Sequence, residues 1–326
     1  MKAVGLLSGG LDSTLAARVI LDQGIEVEAL KFTSPFCNCD HGGKCFSAEV
    51  AVSLGLKLIT IAKGNDYLSV IRNPKHGYGS AMNPCIDCRI YMLSRAKEYA
   101  EESGAGFIFT GEVLGQRPMS QHRAALDMIE KESGLQGKLL RPLSARYLPE
   151  TDVEKKGLVD REKLLDIAGR SRKRQFGLAK EFGISTFSCP AGGCLLTEKN
   201  FAARLKDHFA HYDQFTMTDA LILKNGRHFR NGEIKVVVGR NEKENEIIGS
   251  LAGENDCIFM PIAVNGPTTL LYGGINDEAM RFAASLTASY SSTEDQNISV
   301  SCRGKGINVT MNMDVHAKDY FSGYII

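Results

Sequence analysis

Apolar residues recur along this chain in two rhythms. Residues 3–7 form an unbroken apolar run, Ala3-Val4-Gly5-Leu6-Leu7, the pattern of a parallel strand buried on both faces. Over residues 12–21 the apolar positions fall at helical spacing. Strand-type runs at 26–33, 57–62 and 106–110 alternate with helical stretches at 46–54 and from 85 to about 102. Strand and helix in alternation predict an α/β domain, a parallel sheet with helices on both faces. In such sheets ligands bind beyond the carboxyl ends of the strands. The last third reads differently. It predicts a helix over 200–212, strands over 220–224 and 233–238 flanking a turn at Asn225-Gly226-Arg227, and a helix ending near Ala252. A strand at 270–274, a helix over 277–289 and a strand at 298–302 follow. The expected organisation is an α/β domain over 1–196, a linker helix over 197–212 and a smaller α+β domain over 213–326.

Composition narrows the class. At 326 residues, the chain is long enough for two domains, and 43% hydrophobic with 24% charged residues is ordinary for a globular protein. A net charge of +1 means that any nucleic-acid partner has to be held by a local patch. Nothing resembles a spanning segment, and the apolar start breaks at Ser8, too early for a signal peptide. No membrane partner and a cytoplasmic location are therefore expected. Nine cysteines in such a chain point to metal or catalysis ahead of disulfides.

The first strand runs into Ser8-Gly9-Gly10-Leu11-Asp12-Ser13, and a helix follows. Strand, glycine turn and helix make a phosphate site. Glycines let the backbone approach, and the helix start offers unpaired N–H groups and a positive dipole end. Asp12 would repel a bare phosphate and is suited to a divalent cation lying between. No Gly-x-x-x-x-Gly-Lys-Ser/Thr string occurs, which disfavours ordinary γ-phosphate hydrolysis.

Thiols are the second theme. Cys37, Cys39, His41 and Cys45 are zinc-type ligands, at a spacing that is not a common zinc pattern. In Asn83-Pro84-Cys85-Ile86-Asp87-Cys88, Asn is a favoured N-cap and Pro a favoured first helical residue. This puts Cys85 in the first turn, where a thiol has a lowered pKa, with Cys88 on the same face. Cys189 and Cys194, set among Pro190, Gly192 and Gly193, are candidate distant partners. Three thiolates would suit an iron–sulfur cluster, two a nucleophile with a resolving thiol. Glu112 and Gln116, beyond the strand at 106–110, are candidates for metal, ribose or base contacts. Arg141, Arg146, Arg161, Arg170, Arg172, Lys173 and Arg174 could touch RNA phosphates. Arg227, His228, Arg230, Lys235 and Arg240 give the last third a basic side.

The string from Ser8 to Ser13 resembles the pyrophosphate loop of N-type ATP pyrophosphatases. Together with 83–88 it resembles bacterial tRNA 2-thiouridylases. Thr110-Gly111-Glu112 through Ser120-Gln121 resembles the corresponding loop of tRNA 4-thiouridine synthetases, and Cys194 falls where the 2-thiouridylases carry their second catalytic cysteine. Cys85, Cys88 and Cys194 match the three-cysteine pattern of cluster-dependent thiolases. The resemblance covers residues 1 to about 196. It implies ATP with Mg²⁺ at Ser8, Gly9, Gly10, Asp12 and Ser13, and adenine or ribose near Phe32, Thr33, Gly111 and Gln116. It further implies a uridine carbonyl oxygen of tRNA adenylated with release of pyrophosphate, and AMP then displaced by sulfur. In one version Cys85 is acid or nucleophile and Cys194 carries a persulfide. In the other, Cys85, Cys88 and Cys194 hold a [4Fe–4S] cluster. Asp12, Cys85 and Cys194 are the implied catalytic residues, and a persulfide or sulfide donor is an implied partner. Residues 236–251 resemble the RNA-binding domain that ends NFACT-type factors. A small-molecule ligase of the 7-cyano-7-deazaguanine synthase kind, with zinc on its cysteines, shares the Ser-Gly-Gly-Leu-Asp-Ser string and is the alternative. Whether the chain forms a homodimer is not legible.

Overall fold

The apolar run at the chain start becomes β1 (Lys2–Leu6), the middle of a parallel sheet. A computed structural model describes residues 1–37, 45–188, 193–304 and 306–326. The chain folds as two units, Met1–Thr197 and Glu198–Ile326. In the first unit, β1 is followed by α1 (Leu11–Leu21), β2 (Glu26–Thr33), α2 (Phe46–Ser53), β3 (Lys57–Ala62), α3 (Asn65–Arg72), α4 (Cys85–Ser103) and β4 (Phe107–Thr110). Then come α5 (Arg123–Glu132), β5 (Leu139–Leu140), α6 (Asp152–Lys155) and α7 (Lys173–Glu181). The sheet order is β3-β2-β1-β4-β5, all parallel.

Alternation along the strands sets the two layers. Ala3, Phe107 and Phe109 pack on Leu15 and Val19 of α1 and Ala179 of α7. Val4, Leu6 and Ile108 pack on Leu93 and Ala96 of α4 and Ile129 of α5. The chain leaves β1 for β2 on one side and later returns to β4 on the other. The carboxyl ends of β1 and β4 thus flank the point where strand order reverses, the crevice in which such sheets bind ligands. α3, α5, α7 and β5 went unpredicted from the apolar pattern.

The second unit contains α8 (Lys199–His211), α9 (Met217–Lys224), β6 (Arg227–Asn231), β7 (Ile234–Val238), α10 (Glu242–Leu251) and β8 (Cys257–Pro261). It continues through β9 (Thr269–Tyr272), α11 (Asp277–Ser289), β10 (Asn297–Gly304) and β11 (Ile307–Asp314). Its sheet is antiparallel, in the order β11-β10-β8-β9-β7-β6. Val236 and Val238 point to Ala283 and Ala284 of α11, whereas Val237 points to Ile222 of α9 and Ile248 of α10.

The expected strand at 220–224 is instead the end of α9. Thr216 caps this helix: Asp219 Oδ2 accepts the Thr216 N–H at 2.7 Å, and Thr216 Oγ1 accepts the Asp219 N–H at 3.2 Å. The hairpin turn lies not at Gly226 but at Gly232 (φ +54°), between the paired residues Asn231 and Ile234. β8 and β11 were also missed. No helix among the described residues is long and apolar enough to cross a membrane.

Candidate functional site

β1 delivers the chain into a tight loop at the sheet's carboxyl edge. Gly9 has φ +74°, and a Cβ there would meet the Ser47 backbone nitrogen at 2.6 Å, so only glycine lets the loop sit on the start of α2. Gly10 is the N-cap of α1 and supplies no side-chain cap. Its carbonyl instead accepts Ser13 Oγ at 2.9 Å, Thr14 Oγ1 at 3.0 Å and the Thr14 N–H at 3.1 Å. The Ser8 and Ser13 hydroxyls lie 3.2 Å apart. The first N–H groups of α1 are left without a capping side chain, a ready anion site. Ser188 closes the loop from the other side, its N–H donating to the Gly9 carbonyl at 2.7 Å.

Asp12 follows, in the first turn. Its Oδ2 accepts Gln116 Nε2 at 2.6 Å and lies 3.9 Å from Arg172, while its Oδ1 is buried with no hydrogen-bond partner. Gln116 is itself held by Gln175 Nε2 at 3.0 Å. Gly111 permits this arrangement, since a Cβ there would meet the Asp12 carbonyl carbon at 2.5 Å. Glu112 is buried with Arg141 Nε at 3.1 Å and Arg89 Nε at 3.6 Å. Burial alone would raise its pKa, but the two guanidiniums more than offset this and hold it charged. Glu112 Oε1 and Gln121 Oε1 are further buried oxygens without hydrogen-bond partners.

These groups border one cavity of ≈ 260 Å³, and the thiols form its other wall. Cys85, Cys88, Cys194 and Cys37 all line it, as do Ser8, Gly10, Asp12, Ser13, Phe32 and Gly111. Thr33 and Gln116 do not. The Thr33 carbonyl caps Lys63 N–H at 2.9 Å, and Gln116 reaches the cavity only through Asp12. Cys39, His41 and Cys189 lie outside the described residues.

Cys85 lies in the first turn of α4, as expected, but the activation expected there fails. Pro84, not Asn83, is the N-cap of α4. Burial, with Cys88 beside it, pushes the Cys85 thiol up. Of Cys85, Cys88 and Cys194, Cys88 is the one shifted down. Burial opposes its charge, but Lys63 Nζ at 3.2 Å and the Tyr67 hydroxyl at 3.1 Å bring its pKa below the ordinary thiol value. Burial pushes Cys194 up to about 12. Among the described residues no three Cys, His, Asp or Glu side chains are gathered closely enough to hold a metal.

Four cations face this cavity: Lys63, Arg89, Arg117 and Arg172. Sequence reading missed the first three, although Lys63 directly follows β3 and Arg89 the C-x-x-C. The pKa of Arg117 is lowered by burial and by Arg89. No ion pair is recorded for it among the described residues. Of the basic stretch expected to touch RNA, Arg141 is buried against Glu112 and Glu130 and Arg161 pairs with Glu154, whereas Arg146 and Arg174 form surface pairs with Glu162 and Asp166 and, like Arg170 and Lys173, are exposed.

Residues 1–147 match the family described as thiamine biosynthesis protein (ThiI), and residues 226–321 match the NFACT protein RNA binding domain. The match to the ThiI family thus lies within the first unit. A tRNA-specific 2-thiouridylase MnmA from Pelobacter propionicus is 30% identical over 117 residues, covering 34% of this chain and 33% of the relative. A probable tRNA sulfurtransferase from Caldanaerobacter subterraneus subsp. tengcongensis is 32% identical over 119 residues, covering 35% of this chain and 30% of the relative. The chain spans about a third of the length of the curated relatives it matches. A 4-thiouridine synthetase solved with RNA and ATP is 22% identical and covers 68% of this chain and 52% of that one, with a TM-score of 0.39.

In the NFACT-type domain the expected basic side is largely internal. His228 is fully buried and its pKa is driven well down by burial. Lys235 is 2% exposed and, with Arg230, binds Asp207 of α8 at 2.7 and 2.8 Å. Arg240 pairs with Glu244, and Arg227 lies over the Tyr290 ring at 5.2 Å. His228, Arg230 and Lys235 thus organise the fold, whereas Arg240 stays exposed beside Glu244.

Proposed function

We propose that this chain is an ATP-dependent tRNA sulfurtransferase. The observation that carries the reading is a single cavity bordered both by the glycine loop at the start of α1 and by Cys85, Cys88 and Cys194. Nucleotide activation and sulfur delivery need one shared space, because the activated carbon has to meet the sulfur before water does.

ATP lays its phosphates against the N–H groups of α1 and the hydroxyls of Ser8 and Ser13. Asp12 Oδ1, buried and unpartnered, fits a Mg²⁺ ligand, and the ion would neutralise the phosphates there. Gln116 holds Asp12 in place. The uracil carbonyl oxygen attacks the α-phosphorus, an O–P bond forms, the α–β bridge breaks and pyrophosphate leaves. Arg117, Arg172 and Lys63 stabilise the charge that develops. Sulfur then attacks the activated carbon, and the C–O bond breaks to release AMP. Bound to Cys85, Cys88 and Cys194, a [4Fe–4S] cluster would supply an iron for sulfide. Those thiols are not gathered at ligand spacing here, so the sulfur step is assigned to a persulfide on Cys194, with Cys88, its pKa lowered by Lys63 and Tyr67, on the same cavity. The NFACT-type domain is the tRNA-holding part.

The test is pyrophosphate release by the full chain with unmodified tRNA, ATP and a persulfide donor. Asp12→Asn is expected to lower the rate about 100-fold or more by removing the cation's ligand. An unchanged rate would overturn the assignment.

A further inference from the structure

We propose that Cys37 is the resolving thiol for Cys194, the two closing a disulfide that discharges sulfur from Cys194; this rests on the sulfurtransferase reading above. Cys37 follows β2, far in sequence from Cys194, yet the two residues form an isolated antiparallel bridge. The Leu195 N–H donates to the Phe36 carbonyl at 2.9 Å. That bond joins the residues flanking the pair, so Cys37 and Cys194 face each other as a non-hydrogen-bonded pair. This is the narrow class, with Cα atoms about 4.5 Å apart. A disulfide accepts Cα separations of about 4.4–6.8 Å, so little backbone movement is needed. Both thiols are unbridged, both border the cavity, and Cys37 Sγ lies 3.2 Å from the Ser34 hydroxyl.

The other thiols are worse placed. Cys88 is engaged by Lys63 and Tyr67. Cys85 opens α4 and takes no part in the bridge that seats Cys194 opposite Cys37. The proposal therefore gives the resolving step to Cys37 in place of Cys85.

The chemistry balances. The outer sulfur of a Cys194 persulfide bonds to the activated carbon as AMP leaves. The Cys37 thiol loses its proton to solvent, and its thiolate attacks Cys194 Sγ. The new Sγ–Sγ bond forms as the Sγ–outer sulfur bond breaks. Its electron pair leaves on the sulfur that stays in the base. Two thiols are oxidised to a disulfide while the outer sulfur is reduced by two electrons. A dithiol reductant resets the pair.

The experiment oxidises the full chain during turnover and maps the linked peptides without reduction, with fragmentation to separate Cys37 from Cys39 and Cys194 from Cys189. A Cys37–Cys194 link is expected. In a single turnover of persulfide-loaded protein without dithiol, Cys37→Ser and Cys37→Ala are expected to keep pyrophosphate release and to lose thionucleoside formation about 100-fold, with recovery on adding dithiothreitol to stand in for the missing thiol. Cys194 linked to Cys85, Cys88 or Cys189 instead would overturn the inference. So would a single-turnover rate of thionucleoside formation, without added dithiol, that is equal in both Cys37 variants and in the unaltered chain. Absence of pyrophosphate release from the unaltered chain would sink the sulfurtransferase reading itself, a separate failure.

Discussion

At the residue scale, charge partners decide which thiol is ionised. Cys88 has the depressed pKa because a lysine and a tyrosine hydroxyl reach its sulfur, while Cys85 and Cys194 are raised by burial. Near neutral pH, iodoacetamide should modify Cys88 before Cys85 or Cys194, as read by peptide mass spectrometry. Lys63→Met should slow that modification by removing the ammonium that holds the thiolate. Raising the pH should bring Cys194 in last, since its thiol ionises only near pH 12. Gly111→Ala should cost about 2 kcal/mol in thermal unfolding, because its Cβ has to push the backbone at Asp12 away. Here the sequence was partly transparent. Ser8, Asp12 and Ser13 sit in a string whose glycines and helix start announce phosphate binding. Lys63 and Arg117 carry no such string. They converge through the ends of different elements, and Cys37 meets Cys194 through a pairing that leaves no trace in spacing.

At the element scale, α8 does more than connect. Asp207 on this helix is pushed up by burial but held at about 2 by Arg230 and Lys235. Its depressed pKa means the stabilisation is complete above the ordinary carboxylate pKa of about 4 and is lost as the pH falls from there toward 2. Acid unfolding of the second unit should therefore steepen in that window. Asp207→Asn should flatten the steepening and cost about 3 kcal/mol at neutral pH, since it leaves two buried cations short of a partner. A fragment starting at Glu198 should melt cooperatively, whereas one starting at Tyr212, which lacks Asp207, should not. The apolar rhythm gave β1 to β4 and α11 because their burial is regular. It mistook 220–224 for a strand because Leu221, Ile222 and Leu223 suit either state. The Thr216–Asp219 capping box, readable as Thr-x-x-Asp, decides for the helix.

At the scale of the whole molecule, a segment that matches the ThiI family is followed by one that matches the NFACT protein RNA binding domain. Alternating strand and helix made the first architecture legible, since a parallel sheet needs crossovers. The basic side expected of the second was misread, because a sequence shows Arg230 and Lys235 but not the Asp207 that consumes them. Arg170 and Lys173 remain exposed, and reversing both to Glu should weaken tRNA binding and reduce its salt dependence, measured by titration at several salt concentrations. The most direct measurement combines both ends of the proposed reaction: nucleoside mass spectrometry of unmodified tRNA incubated with the full chain, ATP and a persulfide donor, with AMP and pyrophosphate counted in parallel. A thionucleoside formed in step with AMP and pyrophosphate, and lost in Asp12→Asn, is the result predicted. Unchanged tRNA, with or without ATP cleavage, would contradict it.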